Sequence, residues 1–73
     1  MANDEHVAKL KQGVKAWNDW REEQSIELDL SGSNFFDCNL RGVNLSVVNL
    51  KGIDLRWADL READLGEANL VLA

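Results

Sequence analysis

The sequence lacks several residue types on which common protein classes depend. Its 73 residues include no proline, no tyrosine, one cysteine and one histidine. One cysteine cannot form an intrachain disulfide, and one histidine provides no credible Ser–His–Asp or Cys–His arrangement for catalysis. No apolar run approaches the roughly 18 residues that suggest a membrane-spanning helix. We therefore expect neither an enzyme nor a disulfide scaffold nor a protein that crosses a membrane.

Positive charge is also scarce. Eight Lys and Arg residues stand against thirteen Asp and Glu residues, which gives a net charge of −5 at pH 7. A general nucleic-acid binder carries a basic patch, and an anionic membrane surface attracts basic segments, so direct binding to either is disfavoured. The first six residues are polar and acidic, unlike a signal peptide. A cytoplasmic location is the resulting expectation.

Residues 28–72 form nine consecutive blocks of five residues without an insertion. The second residue of every block is Asp or Asn, and the fourth and fifth are small or charged in most blocks. The third residue is always Leu or Phe: Leu30, Phe35, Leu40, Leu45, Leu50, Leu55, Leu60, Leu65 and Leu70. Repetition at a fixed short period indicates a solenoid, in which each unit buries its apolar face against its neighbours.

A five-residue period fits neither an α-helix nor a flat strand, whose side-chain periods are 3.6 and 2. It fits a chain that turns a corner every five residues. The first and third residues of a block are two apart, so a short extended segment points both toward the interior. The Asp or Asn between them points outward or bonds its own backbone, and the fourth and fifth residues form the corner.

These blocks resemble the A-(D/N)-L-x-x motif of the pentapeptide-repeat family. The resemblance covers residues 28–72 and implies a mainly β solenoid, a right-handed quadrilateral β-helix of about two coils with four pentapeptides per coil. Residues twenty apart then stack in neighbouring coils. The first position departs from the small residue of the family motif in the first six blocks: Leu28, Ser33, Cys38, Val43, Val48 and Ile53. We therefore expect the first coil to be wider or less regular than in the ideal family pattern.

The N-terminal segment has a helical pattern instead. Apolar residues recur there every three or four positions: Val7, Leu10, Val14 and Trp17. This spacing predicts one amphipathic helix over residues 4–23, in which Gly13 costs about 1 kcal/mol relative to Ala. An exposed solenoid end is an unpaired strand edge, so we expect the helix to cover the first coil. The predicted organisation is a capping helix in residues 1–25 and a β-helix in residues 26–73, within one domain.

Three features invite a chemical role, and we interpret each as structural. His6 has no second ligand near it and is expected to be an ordinary surface histidine. Cys38 occupies an inward first position and is expected to be a buried core residue. The repeats also carry a row of carboxylates: Asp29, Asp54, Asp59 and Asp64. Asn replaces Asp freely along this row, which suits an oxygen that accepts backbone hydrogen bonds in turns. No catalytic, cofactor or metal site is therefore predicted.

The outward positions are where a binding function is expected. Twenty-residue stacking places Phe36 and Arg56 together with Trp57 beside them, and aromatic residues near Arg are typical of interaction hot spots. The chain also reaches its last residues without a closing helix, and the residues there are apolar: Leu70, Val71 and Leu72. We therefore predict two groups of interface residues, one on an outer corner and one at the C-terminal coil.

Together these observations favour a non-catalytic structural or protein–protein interaction module with an unidentified protein partner. The uncovered last coil predicts a homodimer, last coil against last coil, unless the natural chain continues with further pentapeptides. The resemblance also implies an alternative, since some family members inhibit the type II topoisomerase DNA gyrase as acidic mimics of DNA. The shortness of the chain and the basic residues on the solenoid argue against it: Arg41, Lys51, Arg56 and Arg61.

Overall fold

The computed structural model describes residues 2–24 and 26–73. Two α-helices precede the repeats: α1 spans Asp4–Lys11 and α2 spans Val14–Arg21. The Asn3 side chain caps α1 by accepting hydrogen bonds from two backbone N–H groups of the first turn. Those groups have no partner inside the helix, so an Asn at this position fixes where the helix begins.

A break at Gly13 corrects the prediction of one continuous helix over residues 4–23. Gly13 has a φ of 123°, which glycine adopts readily and a side-chain-bearing helical residue does not. It serves as the N-cap of α2, and its carbonyl accepts the Trp17 N–H at 3.0 Å. The break allows two short helices to pack against each other. Met1 and Ser25, which the prediction places in the capping segment of residues 1–25, lie outside the described residues.

Every five-residue block ends in a tight turn. The N–H of the residue after each block donates to the carbonyl of the third residue of that block. In the first block Ser33 donates to Leu30 at 3.2 Å, and in the last block Ala73 donates to Leu70 at 3.0 Å. The fifth residue of each block has a positive φ, as the third residue of a type II turn requires. Glycine occupies three of these positions, and the others hold Asp37, Val47, Trp57, Glu62, Glu67 and Leu72.

Parallel β-bridges join blocks that lie twenty residues apart. The bridged pairs are Asp29–Asn49, Asn34–Asp54, Asn39–Asp59, Asn44–Asp64 and Asn49–Asn69. Twenty residues therefore make one coil of four blocks, which is the predicted register. Each bridge involves a single residue on either side, so the described part of the solenoid consists of turns and isolated bridges without extended strands. We call residues 28–47 the first coil and residues 53–72 the terminal coil.

The Asp and Asn side chains of the repeat bind their own backbone. In all nine blocks the side-chain Oδ1 accepts the N–H two residues later, at 2.9 to 3.1 Å. Asn39 and Asp59 are a bridged pair that make this bond at the same distance, 3.1 Å. Asp and Asn can therefore replace each other at this position, because the turn uses only the side-chain oxygen that both residues have.

The core runs from the helices to the middle of the solenoid. The third-position residues up to Leu50 are at most 3% exposed, and they pack with Leu10 and Trp17 from the helices. The inward third positions also predict that Leu55 and Leu60 are nearly fully buried, and this is wrong, because both are only partly buried. They belong to the terminal coil, which no further coil covers among the described residues.

Candidate interaction surfaces

The cap, which we define as residues 2–24, covers the first coil and hydrogen-bonds to its edge. The indole Nε1 of Trp17 and the guanidinium of Arg21 each donate to the Asn44 carbonyl at 2.8 Å. The Asn44 N–H in turn donates to the Asn18 side-chain oxygen at 2.8 Å. Side chains of α2 thus satisfy strand-edge groups that a preceding coil would otherwise pair.

A second clamp joins the start of α1 to Asp29. The Asn3 N–H donates to the Asp29 carbonyl at 3.1 Å, and the Asp29 N–H donates to Nδ1 of His6 at 3.1 Å. Both main-chain groups of Asp29 are therefore paired with the cap. Together the two clamps fix the helices over two of the four sides of the first coil.

His6 is not the surface histidine that the sequence predicts. Its side chain is 1% exposed, and its ring centroid lies 5.4 Å from that of Trp20. Since Nδ1 accepts a hydrogen bond, a neutral ring carries its proton on Nε2, which is buried and has no partner among the described residues. The available signal was the spacing of four residues between His6 and Leu10, which places both on one helix face.

No described residue covers the opposite end of the solenoid. In the first coil, the N–H groups of Leu30 and Gly32 donate to the coil above. The equivalent N–H groups of the terminal coil have no acceptor among the described residues: Leu55, Trp57, Leu60, Glu62, Leu65, Glu67, Leu70 and Leu72. A shallow hollow lies at this end and is lined largely by leucine side chains. This end, which we call the end face, therefore combines apolar side chains with free strand-edge donors.

Arg56 connects the two predicted groups of interface residues. The guanidinium carbon of Arg56 lies 5.6 Å from the centroid of the Phe36 ring, as the twenty-residue register predicts. Arg56 also lines the hollow together with Leu70 and Leu72. Trp57 follows Arg56 at the corner and is 80% exposed with a φ of 65°. The outer corner therefore adjoins the hollow through Arg56, and Val71 is exposed.

The arginines of the repeat surface are paired with nearby carboxylates. Arg56 makes two side-chain hydrogen bonds to Asp54 at 3.0 and 2.9 Å, and Arg61 makes two to Asp59 at 3.0 and 2.8 Å. The bonds from Arg61 lower the pKa of Asp59 to about 2, and those from Arg56 lower the pKa of Asp54. Exposed pairs of this kind add little stability, but they neutralise each arginine locally and leave no basic patch at these corners.

Cys38 is partly buried and packs against the core, where the sequence predicts a buried core residue. It lines a small hollow with Lys11 and Gly13, where the helix break leaves that side of the first coil incompletely covered. Over residues 2–24 and 26–73, no three His, Cys, Asp or Glu side chains are grouped closely enough to hold a metal ion. Neither described helix has the length and apolar character needed to cross a membrane.

Comparison with protein families agrees with the repeat pattern. The model for pentapeptide repeats matches eight copies, over residues 26–52 and 38–73. These two ranges together cover more than half of the chain and contain all of the bridged positions. No curated protein and no solved structure matches the sequence. The family match, the five-residue turns and the coil of four blocks lead to one conclusion: the chain belongs to the pentapeptide-repeat family.

Proposed function

We propose that this protein is a non-catalytic protein–protein interaction module whose repeats wind as a right-handed quadrilateral β-helix. The observation that carries the interaction role is the end face, where leucines line a hollow beside unpaired N–H groups. Such an edge is a ready template for pairing with another chain. The coil of four blocks supports the quadrilateral form, and its handedness follows from the family resemblance.

The partner that we propose for the end face is a second copy of this chain. A two-fold arrangement places the same surface on both sides and leaves no further edge of that kind exposed. The last three blocks begin with small residues, so two terminal coils can approach closely: Ala58, Ala63 and Ala68. Leu70, Val71 and Leu72 would pack across the two-fold axis, with the caps at the distal ends of the dimer.

The corner formed by Phe36, Arg56 and Trp57 is proposed as the rim of this dimer interface. A positive φ costs residues other than Gly about 1–2 kcal/mol, and Trp57 adopts it while 80% exposed. The isolated chain therefore recovers little of that cost through burial. Trp57 directly follows Arg56, which lines the hollow, and its exposed ring would gain apolar burial if a second chain docked there.

Sedimentation equilibrium tests the dimer directly. The wild type should be dimeric at micromolar concentration, and Leu70→Lys should be monomeric because it places a charge in the apolar hollow. Ala8→Lys is the matched control, since it adds the same charge at an exposed position of α1 and should remain dimeric. A wild type that stays monomeric at high micromolar concentration contradicts the proposal. A Leu70→Lys protein that still dimerises places the interface elsewhere.

The role of the outer corner is tested by how much Trp57 contributes to the free energy of dimerisation. Trp57→Ala should raise the dimer dissociation constant by about 5- to 30-fold, which is the range of a moderate hot spot. Val47→Ala is the control, because Val47 also lies at an exposed corner with positive φ, but in the first coil. If both variants leave dimerisation unchanged, Trp57 does not belong to this interface.

The alternative, inhibition of DNA gyrase by mimicry of DNA, is supported by the net charge of −5. The pairing of Arg56 and Arg61 with their own carboxylates also favours it, because these arginines add no positive patch. The longest dimension of one chain is 28 Å, or about eight base pairs at 3.4 Å per step. A supercoiling assay with gyrase decides the matter, and absence of inhibition at high micromolar protein removes this function.

A further inference from the structure

The clamp at Asp29 depends on a histidine that must be uncharged. Nδ1 of His6 accepts the Asp29 N–H, and the side chain is 1% exposed. A protonated imidazole carries N–H groups on both nitrogens and accepts no hydrogen bond. In a charged His6 the N–H at Nδ1 would therefore face the Asp29 N–H, which is also a donor. The second N–H, at Nε2, would be buried without an acceptor among the described residues.

Charged groups of both signs lie around His6. From the coil, Glu27 and Asp29 line a surface hollow together with His6, and the Asp29 carboxylate already accepts a backbone N–H. On α1, the Lys9 ammonium lies 6.0 Å from the Trp20 ring. From α2, the group that packs on His6 is the uncharged ring of Trp20. Protonation is therefore compatible with these surroundings only when the hydrogen bond to Asp29 is broken.

We propose that His6 is a proton-operated latch, whose protonation releases the start of α1 and uncovers the strand edge at Asp29. Histidine changes charge between about pH 5 and 8, so the latch responds to mild acidification. The clamp that Trp17 and Arg21 make at Asn44 contains no histidine and keeps α2 in place. The opening is thus local, and it exposes main-chain donors and acceptors that can pair with another chain.

The direction of the response follows from proton linkage. Because the hydrogen bond to Asp29 requires an uncharged ring, lowering the pH from 7.5 to 5.5 raises the opening constant. Protection of the Asp29 amide against hydrogen exchange should fall by the same factor, after correction for the intrinsic exchange rate. The internal control is the Asn49 amide, which occupies the equivalent position one coil later and donates to the Leu28 carbonyl at 3.0 Å.

Hydrogen exchange followed by NMR on the full chain provides the test. The expected result is a loss of protection at Asp29 on going from pH 7.5 to pH 5.5, with little change at Asn49. His6→Asn supplies an acceptor without a titrating ring and should abolish the pH-dependent part. An equal loss at Asn49 would mean global unfolding and overturns the latch, as does unchanged protection at Asp29 or a pH response that persists in His6→Asn. If that variant does not fold, the comparison of the two amides in the wild type decides alone.

Discussion

Truncating two leucines that occupy the same position in neighbouring coils measures how completely each coil is covered. Leu50 and Leu70 occupy third positions twenty residues apart, and their exposed fractions are 0% and 42%. Leu50→Ala should lower the free energy of unfolding by about 2–5 kcal/mol, because it loses hydrophobic transfer free energy and also leaves an enclosed cavity. Leu70→Ala should cost about 1–2 kcal/mol, since it loses roughly half of a full transfer term of 1.5–3 kcal/mol and opens no closed cavity. A chain of this length has a stability of roughly 4–11 kcal/mol, so Leu50→Ala removes a large part of it.

Urea unfolding followed by far-UV circular dichroism measures both costs and leaves Trp57, which belongs to the proposed interface, unchanged. The experiment is run at low protein concentration, where the monomer dominates, and again at high concentration. The cost of Leu70→Ala should rise with concentration, because the proposed dimer buries this side chain, while that of Leu50→Ala should change less. Equal costs for the two variants in the dilute monomer would refute the argument that the terminal coil is uncovered.

Three further predictions concern single interactions. Trp17→Phe keeps an aromatic ring but loses the indole N–H bonded to the first coil, and should lower the free energy of unfolding by about 1–2 kcal/mol in urea titrations. Gly52→Ala should lower the free energy of unfolding by about 1 kcal/mol through its φ of 70° alone. The added Cβ causes no clash, because its nearest atom lies 3.9 Å away. An unchanged urea midpoint would contradict this. The lowered pKa of Asp59 means that its pairing with Arg61 stabilises the fold above about pH 4 and is lost as the pH falls toward 2. Asp59→Asn, which keeps the turn acceptor, should flatten that part of the stability curve measured by thermal melting.

The repeats were predictable because one local rule recurs in every block. The five-residue period sets the turn, and the turn sets the coil of twenty residues that the bridges confirm. The interpretation of the Asp and Asn row as backbone acceptors is likewise confirmed at every block, including Asp29 and Asn69. Such features depend only on residues near in sequence, so their pattern is visible without a structure.

The features that sequence reasoning missed depend on contacts between distant residues. The break at Gly13 costs helix hydrogen bonds, and packing of two short helices over the coil compensates for it. His6 is buried because the main chain of Asp29, 23 residues later, needs an acceptor. Leu55 and Leu60 are partly exposed because no described coil lies on top of theirs. The repeat pattern is the same in every coil and does not show which coils are covered.

The difference between the two ends of the solenoid determines how the module can assemble. An edge open at both ends would pair head to tail without closing and form fibres. The cap occupies one end through the clamps at Asp29 and Asn44, so the dimer that we propose would not extend through that end. Release of the latch at His6 removes one of these clamps and partly restores the second edge. Acidification of the dimer should therefore produce larger assemblies, and His6→Asn should suppress them while leaving the dimer intact.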